Sequence, residues 1–321
     1  MALGLLINGD DNPNNLPGTA GDDEIHGLGG DDTIAGNSGN DLIYGNQGND
    51  TIDQFAGDAA GNDTIFGGQG DDFIGGLVSN TGNDLIYGNL GDDLVGGANG
   101  NDTIFGGQGN DLIFANPGDD LIYSNLGNDI IVGGDGNDTL FGGQDNDTLN
   151  GASGNDFIYG NLGNDTIVGG DGNNTFFGGQ GNDVLSELAG LDFNNDLMFG
   201  NLGADTFDFS ALNASGANNA TADRIGDFST AQGDKIKIDV TGTMELLLMS
   251  NASVNSVDTA IAAATSANAF DIADVVFVTG PGPNGFLLVD QNDSGAFGSA
   301  TDFAIVLQNV TSLSASDIIA T

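Results

Sequence analysis

Apolar residues recur at every ninth position along most of the chain, separated by short runs of glycine, asparagine and aspartate. The clearest copy runs from Gly106 to Phe114 and reads Gly-Gly-Gln-Gly-Asn-Asp-Leu-Ile-Phe. The eighth position is apolar in all twenty copies, and the sixth is Asp in nineteen. A fixed short period indicates one structural unit stacked on itself. The copies begin at residues 18, 27, 36, 45, 54, 67, 76, 88, 97, 106, 115, 124, 133, 142, 151, 160, 169, 178, 187 and 200.

Each unit divides into a turn and a short strand. Positions one to six are rich in glycine, which allows the positive φ angles of tight turns. Positions seven to nine are aliphatic or aromatic and predict a strand whose eighth residue points inward. Two units make a circuit of eighteen residues, and successive circuits pair as parallel strands. The pattern predicts an all-β fold, a parallel β-roll over residues 18–208, after an N-terminal cap at 1–17.

Charge restricts the partners of such a roll. The chain has 321 residues, with 47 acidic and 3 basic side chains and a formal net charge of −44. Nucleic acids and anionic membranes would be repelled, so we expect neither as a partner. Cysteine is absent, no stretch reaches the length of a membrane span, and the N-terminus shows no secretory signal peptide.

The sixth-position carboxylates point to a divalent cation. Stacking brings the carboxylates of alternate units together, where they repel unless an ion bridges them. Turns offer carbonyl and carboxylate oxygens, the ligands that calcium prefers. Residues 18–208 carry 31 Asp and 2 Glu, so about eighteen such ions would nearly neutralise the roll. The candidate carboxylates are Asp23, Asp32, Asp41, Asp50, Asp63, Asp72, Asp84, Asp93, Asp102, Asp111, Asp120, Asp129, Asp138, Asp147, Asp156, Asp165, Asp183, Asp196 and Asp205.

The repeat resembles the Gly-Gly-x-Gly-x-Asp-x-apolar-x unit of RTX (hemolysin-type) calcium-binding proteins. The resemblance implies a right-handed roll, several Ca²⁺ ions, and ligands that are the sixth-position Asp and the carbonyls at positions two and four. Asp145 replaces a glycine and Asn174 lacks charge, and insertions lengthen the units starting at 54, 76 and 187, so we expect fewer than eighteen ions. The implied carbonyl ligands are Gly68, Gly70, Gly107, Gly109, Gly134, Gly136, Gly170, Gly172, Gly179 and Gly181.

Beyond the repeats, residues 209–321 resemble the C-terminal domain of RTX exoproteins such as the serralysins. That resemblance implies a cap on the roll and an uncleaved type I secretion signal, with the type I secretion machinery as a partner. An alanine-rich stretch at 256–269 predicts a short helix. The segment from Asp290 to Gly295 begins like an EF-hand loop but has no Glu at the twelfth position, so a polar hairpin loop and a calcium site both remain open.

A row of aromatic residues occupies the ninth position of alternate units. Strand alternation places this ladder on the outer face of one sheet. Stacking along the sheet explains it structurally, and the rival interpretation is that it packs on another copy, on the C-terminal domain or on a flat ligand such as a polysaccharide. The ladder consists of Tyr44, Phe66, Tyr87, Phe105, Tyr123, Phe141, Tyr159, Phe177 and Phe199.

No catalytic pattern accompanies the repeats. The single histidine, His26, excludes a two-histidine zinc motif, and we expect it to be a solvated surface residue. We therefore expect a secreted, non-enzymatic protein that folds on extracellular calcium and serves a cell surface or matrix, with self-assembly into an oligomer, filament or lattice. An RTX exoenzyme with cryptic activity and a calcium-dependent polysaccharide-binding module are the alternatives.

Overall fold

The computed structural model describes residues 4–52, 61–75, 81–187, 194–210, 223–238, 246–250, 260, 275–279, 281–289, 303–310 and 312–320. The chain divides into two compact units, Met1–Gly163 and Asn164–Thr321. Strands dominate both units, and the part of the chain just given contains one short 3-10 helix, Ala315–Asp317. The prediction of an all-β parallel β-roll is confirmed.

The first unit contains two parallel sheets, to which the strands contribute alternately. Sheet A is formed by β1 (Leu6–Asn8), β3 (Glu24–Gly29), β5 (Leu42–Gln47), β7 (Thr64–Gln69), β9 (Leu85–Leu90), β11 (Thr103–Gln108), β13 (Leu121–Leu126), β15 (Thr139–Gln144) and β17 (Phe157–Leu162). Sheet B is formed by β2 (Asn15–Pro17), β4 (Thr33–Ala35), β6 (Thr51–Ile52), β8 (Phe73–Ile74), β10 (Leu94–Gly96), β12 (Leu112–Phe114), β14 (Ile130–Asp135) and β16 (Thr148–Ser153).

Neighbouring strands pair at the predicted offset of one circuit. Ile104 of β11 lies opposite Ile122 of β13, eighteen residues later. The insertions widen this offset without breaking the pairing, since Leu42 pairs with Thr64, and Thr64 pairs with Leu85. Residues 6–17, predicted as a cap, already pair in the same way, with Leu6 opposite Glu24.

The core contains the eighth residue of each repeat. Ile104, Ile113, Leu140 and Phe176 have no solvent exposure, and the eighth residue is buried in every repeat, as predicted. Side chains from the two sheets of a circuit therefore form a thin apolar layer. So little apolar surface is a weak basis for ordering a backbone with 56 glycines.

The strands of sheet A from β3 onward are longer than the sequence predicts. They contain six residues because pairing continues through the first three positions of the next unit, for example Gly107 opposite Asn89. Gly107 has a φ of 125°, and a Cβ there would come within 2.2 Å of the carbonyl oxygen of Asn89. The second glycine thus permits both the backbone conformation and the close approach of the neighbouring circuit.

The aromatic ladder is a continuous ring stack in the first unit. From Tyr44 to Tyr159 the ring centroids of successive residues lie 4.7–5.1 Å apart, with planes within 11° of parallel. His26 begins this stack, 4.7 Å from Tyr44, and its partly exposed ring lies 3.0 Å from the carboxylate of Glu24, so this expected surface residue is also a member of the stack. It occupies the ninth position of the first unit, the same position as the aromatic rings. In the second unit Phe177 stacks on Phe199 at 4.9 Å.

The second unit also contains two sheets. Sheet C follows the order β19 (Thr175–Gln180), β21 (Leu197–Leu202), β23 (Asp223–Ile225), β28 (Phe303–Leu307), β27 (Gly285–Val289), β26 (Val275–Thr279) and β25 (Leu246–Ser250). Sheet D follows the order β18 (Thr166–Asp171), β20 (Val184–Ser186), β22 (Thr206–Asp208), β24 (Lys235–Ile238) and β29 (Ile318–Ala320).

Both sheets continue in parallel beyond residue 208, the predicted end of the roll. Met198 pairs with Ile225, and Phe207 pairs with Ile236. Strands β26, β27 and β28 then add an antiparallel meander to sheet C. The predicted helix at 256–269, apart from Ala260, and the loop at 290–295 lie outside the described residues. No helix in the described ranges is long and apolar enough to cross a membrane.

Truncating a ring inside the stack should weaken the fold measurably. In saturating calcium, Phe141→Ala removes the contacts with Tyr123 and Tyr159 and should cost about 1–3 kcal/mol, because aromatic pairs contribute beyond their buried area. Urea unfolding measures the cost. Thr139→Ala on the same strand is the control and should cost less than about 1 kcal/mol. Equal costs for the two variants would contradict a stabilising stack.

Candidate metal centre

The sixth-position aspartates form columns of buried carboxylates. All nineteen are at most 5% exposed. In the first unit, Oδ1 accepts a hydrogen bond from the backbone N–H of the matching Asp one circuit earlier. Asp93 donates to Asp111 at 2.9 Å, and Asp111 donates to Asp129 at 2.8 Å. The columns are therefore built by the backbone register of the circuits, and each places a carboxylate directly beside the next.

The second carboxylate oxygen is buried and receives no hydrogen bond in many of these units. A buried carboxylate without a donor is costly, because desolvation is not compensated. These oxygens require another positively polarised partner. The Oδ2 atoms in question belong to Asp32, Asp50, Asp72, Asp93, Asp102, Asp111, Asp120, Asp138, Asp183 and Asp205.

Where a unit begins with glycine, that glycine makes room for this oxygen. A Cβ at Gly88 would lie 2.3 Å from Oδ2 of Asp93, and one at Gly106 would lie 2.4 Å from Oδ2 of Asp111. The carbonyl oxygens of the following circuit are also near, at 2.5 Å from the same point on Gly88. Glycine at the first position thus follows from the packing of the carboxylate and not from the turn conformation alone.

Asn174, the exception at the sixth position, reveals what surrounds this oxygen. Its Nδ2 donates to the carbonyls of Gly170 and Gly172 at 3.2 and 3.3 Å. Nδ2 lies beside Gly169, as Oδ2 lies beside the first glycine of other units. In an Asp unit a carboxylate oxygen takes the same place beside the first glycine, where it would face the carbonyls at positions two and four, the ligands that the resemblance implies.

In an Asp turn, the carboxylate oxygen Oδ2 and the two carbonyl oxygens would therefore face one another. All three are hydrogen-bond acceptors, and none can donate. Carboxylate and carbonyl oxygens suit a hard cation such as Ca²⁺, which accepts six to eight oxygen ligands in flexible geometry. Within the described ranges, no three His, Cys, Asp or Glu side chains cluster as a metal site. The oxygens that such a turn offers to a cation would therefore be those of two backbone carbonyls and one carboxylate.

Burial raises the pKa of these carboxylates. The pKa of Asp93 and of Asp102 rises to about 8, mainly through desolvation, and neighbouring carboxylates of the same column raise both further. The same causes raise the pKa of Asp72 to about 7. Without a cation, the ionised roll is destabilised by its own columns.

A second, exposed ladder lies at the fifth position, and the sequence reasoning missed it. Backbone N–H groups donate to the side-chain Oδ1 atoms of the preceding circuit, as from Asn110 to Asp92 at 2.7 Å and from Asn128 to Asn110 at 3.0 Å. The recurrence of Asn or Asp before the sixth position was the signal. In the second unit Arg224 donates to Oδ1 of Asn195 at 2.6 Å, at the end of the fifth-position row.

Some carboxylates near the ends of the repeats are closed by backbone donors. Oδ2 of Asp23 accepts the N–H of Thr19 at 2.5 Å, and Oδ2 of Asp234 accepts that of Ser229 at 2.8 Å. Asp234 lies after the last repeat, yet its Oδ1 accepts the N–H of Asp205 at 3.1 Å and so extends the column. The triplet of Asp234, Lys235 and Ile236 repeats the Asp-x-apolar signal, which could have revealed it.

The basic side chains lie after the last repeat. Lys237 forms an ion pair with Asp208 at 2.7 Å, and Lys235 forms one with Asp317 at 3.7 Å. Burial opposes ionisation of Asp208, but hydrogen bonds from Lys237 and Ser210 outweigh it and hold the pKa of Asp208 below its usual value. Lysine side chains thus neutralise these two carboxylates, whereas the repeats contain no lysine or arginine side chain that could do so.

The stacked circuits and their oxygen-lined turns define a calcium-binding β-roll. The family model described as "RTX calcium-binding nonapeptide repeat (4 copies)" matches residues 17–52, 58–77, 77–104, 96–131, 123–158 and 150–185, slightly more than half of the chain. The chain belongs to this family. The predicted serralysin-like C-terminal domain stays a prediction, as do the domain boundaries.

Two further comparisons add little. The chain is similar to the solution structure of the AlgE6R3 subunit of the mannuronan C5-epimerase from Azotobacter vinelandii, at 22% identity and a TM-score of 0.31. That similarity covers 58% of this chain and 78% of the other. No curated protein matches the chain.

The raised pKa values predict how the calcium-free protein responds to pH. Folded carboxylates with a pKa of about 6 to 8 bind protons that the unfolded chain has already lost above about pH 4. The calcium-free roll should therefore become more stable as the pH falls from about 8 to about 5. Circular dichroism in EDTA measures this, and loss of β signal on acidification would contradict it.

Calcium and protons should compete for the same carboxylates. Because protons also stabilise the calcium-free roll, less calcium is then needed to fold the chain, and the calcium concentration at the folding midpoint should fall as the pH falls over this range. Titrations at several pH values and constant ionic strength test this. A midpoint that is independent of pH, or that rises as the pH falls, would contradict the uptake of protons by these carboxylates in the folded roll.

Proposed function

We propose that this chain is an extracellular protein whose repeats fold when several Ca²⁺ ions occupy the turns. The observation that carries the proposal is the set of buried Oδ2 atoms without a hydrogen-bond donor, as at Asp93 and Asp111. The Asn174 amide, which occupies the same place in its own turn, donates to two carbonyls and so supports a place lined by carbonyl oxygens. A bound cation would supply the positive charge that this place lacks.

Each turn's own residues prepare the place for the ion. The first glycine leaves space for the carboxylate, and the second and fourth positions adopt positive φ, as at Gly107 (125°) and Gly109 (130°). The backbone N–H of the preceding circuit fixes Oδ1, which orients Oδ2 into the turn. Ligands assembled by folding couple the free energy of binding to that of folding.

Such coupling favours folding outside the cell. Extracellular calcium sites have dissociation constants of about 10⁻⁴–10⁻³ M, so a chain of this kind stays unfolded where calcium is scarce. Export through type I secretion machinery, directed by the C-terminal region, fits that order of events. The repeats that depart from the pattern support a number of ions below eighteen.

A non-enzymatic role at a surface or in a matrix is the function that we propose for the folded roll. The formal net charge of −44 and the regular stacked circuits support a structural protein that depends on calcium. The exposed edges of the ring stack support self-association. Ring faces from Tyr44 to Tyr159 cover one another, so they are not open to a flat sugar ring, and this favours another copy over a polysaccharide.

A calcium titration followed by circular dichroism and light scattering tests the proposal. We expect little β signal in EDTA, a cooperative gain near millimolar calcium, and no equal gain with magnesium, which demands stricter octahedral geometry. A chain that shows the same β signal with excess EDTA as with calcium would overturn it.

Self-association is tested by Tyr123→Asp combined with Phe141→Asp. The double variant should still fold in calcium but lose association, because charges replace two half-exposed rings of the stack. The control is Thr33→Asp with Thr148→Asp, at exposed positions of sheet B, which should associate like the wild type. If sedimentation gives one oligomeric state for all three proteins, the ladder acts only within the chain.

A further inference from the structure

Two segments of the repeats form a natural matched pair. Residues 133–144 read Gly-Gly-Asp-Gly-Asn-Asp-Thr-Leu-Phe-Gly-Gly-Gln, and residues 169–180 read Gly-Gly-Asp-Gly-Asn-Asn-Thr-Phe-Phe-Gly-Gly-Gln. They differ at two places only: Asp138 corresponds to Asn174, and Leu140 corresponds to Phe176. Any difference between the two turns therefore arises largely from one carboxylate exchanged for one amide.

In the first segment the turn is incomplete by itself. Asp138 has no solvent exposure, and its Oδ2 has no hydrogen-bond donor. This oxygen lies 2.3 Å from the place that a Cβ on Gly133 would take. Its Oδ1 accepts the N–H of Asp120 at 2.9 Å, as in the rest of the column.

In the second segment the same turn is closed by its own side chain. Asn174 is 1% exposed, and its Nδ2 donates to the carbonyls of Gly170 and Gly172. An amide carries two hydrogens on this nitrogen, so both bonds can form at once. The backbone N–H of Asn174 donates to Oδ1 of Asp196 at 2.5 Å, so the turn keeps the usual connection to the next circuit.

The amide excludes a cation from this turn. The carbonyls that would bind the ion already accept hydrogen bonds, and the NH₂ group occupies the place of the carboxylate oxygen. No buried charge remains to be neutralised, which removes the penalty that the Asp turns carry. The larger Phe176, also fully buried and packed against Gly169, adds apolar burial to the same circuit.

We infer that the turn at 169–177 in the second unit binds no calcium, and that its conformation does not depend on a cation because the Asn174 amide closes it. The inference rests on the proposed calcium-dependent folding, since it concerns a repeat that would not require the ion. It removes Gly170 and Gly172 from the implied ligands. It also predicts that this segment stays ordered at calcium concentrations at which other repeats unfold.

Hydrogen–deuterium exchange of the full-length chain tests this without counting ions. In EDTA, amides of 169–180 should exchange about tenfold more slowly than those of 133–144, since two hydrogen bonds together contribute about 1.4 kcal/mol. The reciprocal variants Asn174→Asp and Asp138→Asn should reverse this order. Calcium should then protect 169–180 of the first variant as strongly as it protects 133–144 of the wild type.

Phe176→Leu separates the amide from the larger core residue. This variant should keep the slow exchange of 169–180 in EDTA if the amide closes the turn. Loss of that protection in Phe176→Leu, or equal exchange of the two wild-type segments in EDTA, would overturn the inference. Failure of the proposed function looks different, since no segment of any variant would then respond to calcium.

Discussion

Buried carboxylate oxygens that receive no hydrogen bond are the constraint on which this structure depends. The circuits bring one such oxygen from each turn into a column, beside carbonyls that are also acceptors. Nothing in the thin apolar core compensates for that arrangement. Under the proposed function, a protein so built would be marginal when ionised and free of metal, and it would be stabilised by a cation or, at lower pH, by protons.

The turns contain two hydrogen-bonded ladders, which differ in whether their side-chain oxygens are buried or exposed. At the sixth position, backbone N–H groups donate toward the next circuit, and the second oxygen is left for a cation. At the fifth position, donors point to the preceding circuit, and exposed Asn and Asp side chains satisfy them without any ion. The register of the roll is thus held by an exposed ladder whose acceptors receive hydrogen bonds, while the buried columns would make its stability depend on calcium under the proposed function.

The ends of the repeats show how the same circuit persists without that dependence. Backbone N–H groups of Thr19 and Ser229 close the carboxylates of Asp23 and Asp234. Lysine side chains pair with acids in the later strands, as Lys237 does with Asp208. The sheets therefore continue past residue 208 even though the nonapeptide pattern has ended, because parallel pairing needs matched strands and closed turns and not the repeat itself.

The sequence alone determined the period, the inward eighth residue, the parallel pairing and the columns of carboxylates. Each follows from a spacing of nine that fixes which residues lie above one another. Only the tertiary structure showed that His26 joins the ring stack, that the fifth position forms a ladder, and that Asn174 bonds to Gly170 and Gly172. These depend on side-chain direction and on distances between circuits, which a one-dimensional period does not specify. For the same reason the sequence shows Asn174 only as a repeat without a carboxylate charge. The structure shows that its amide group instead donates hydrogen bonds to two carbonyls of the turn.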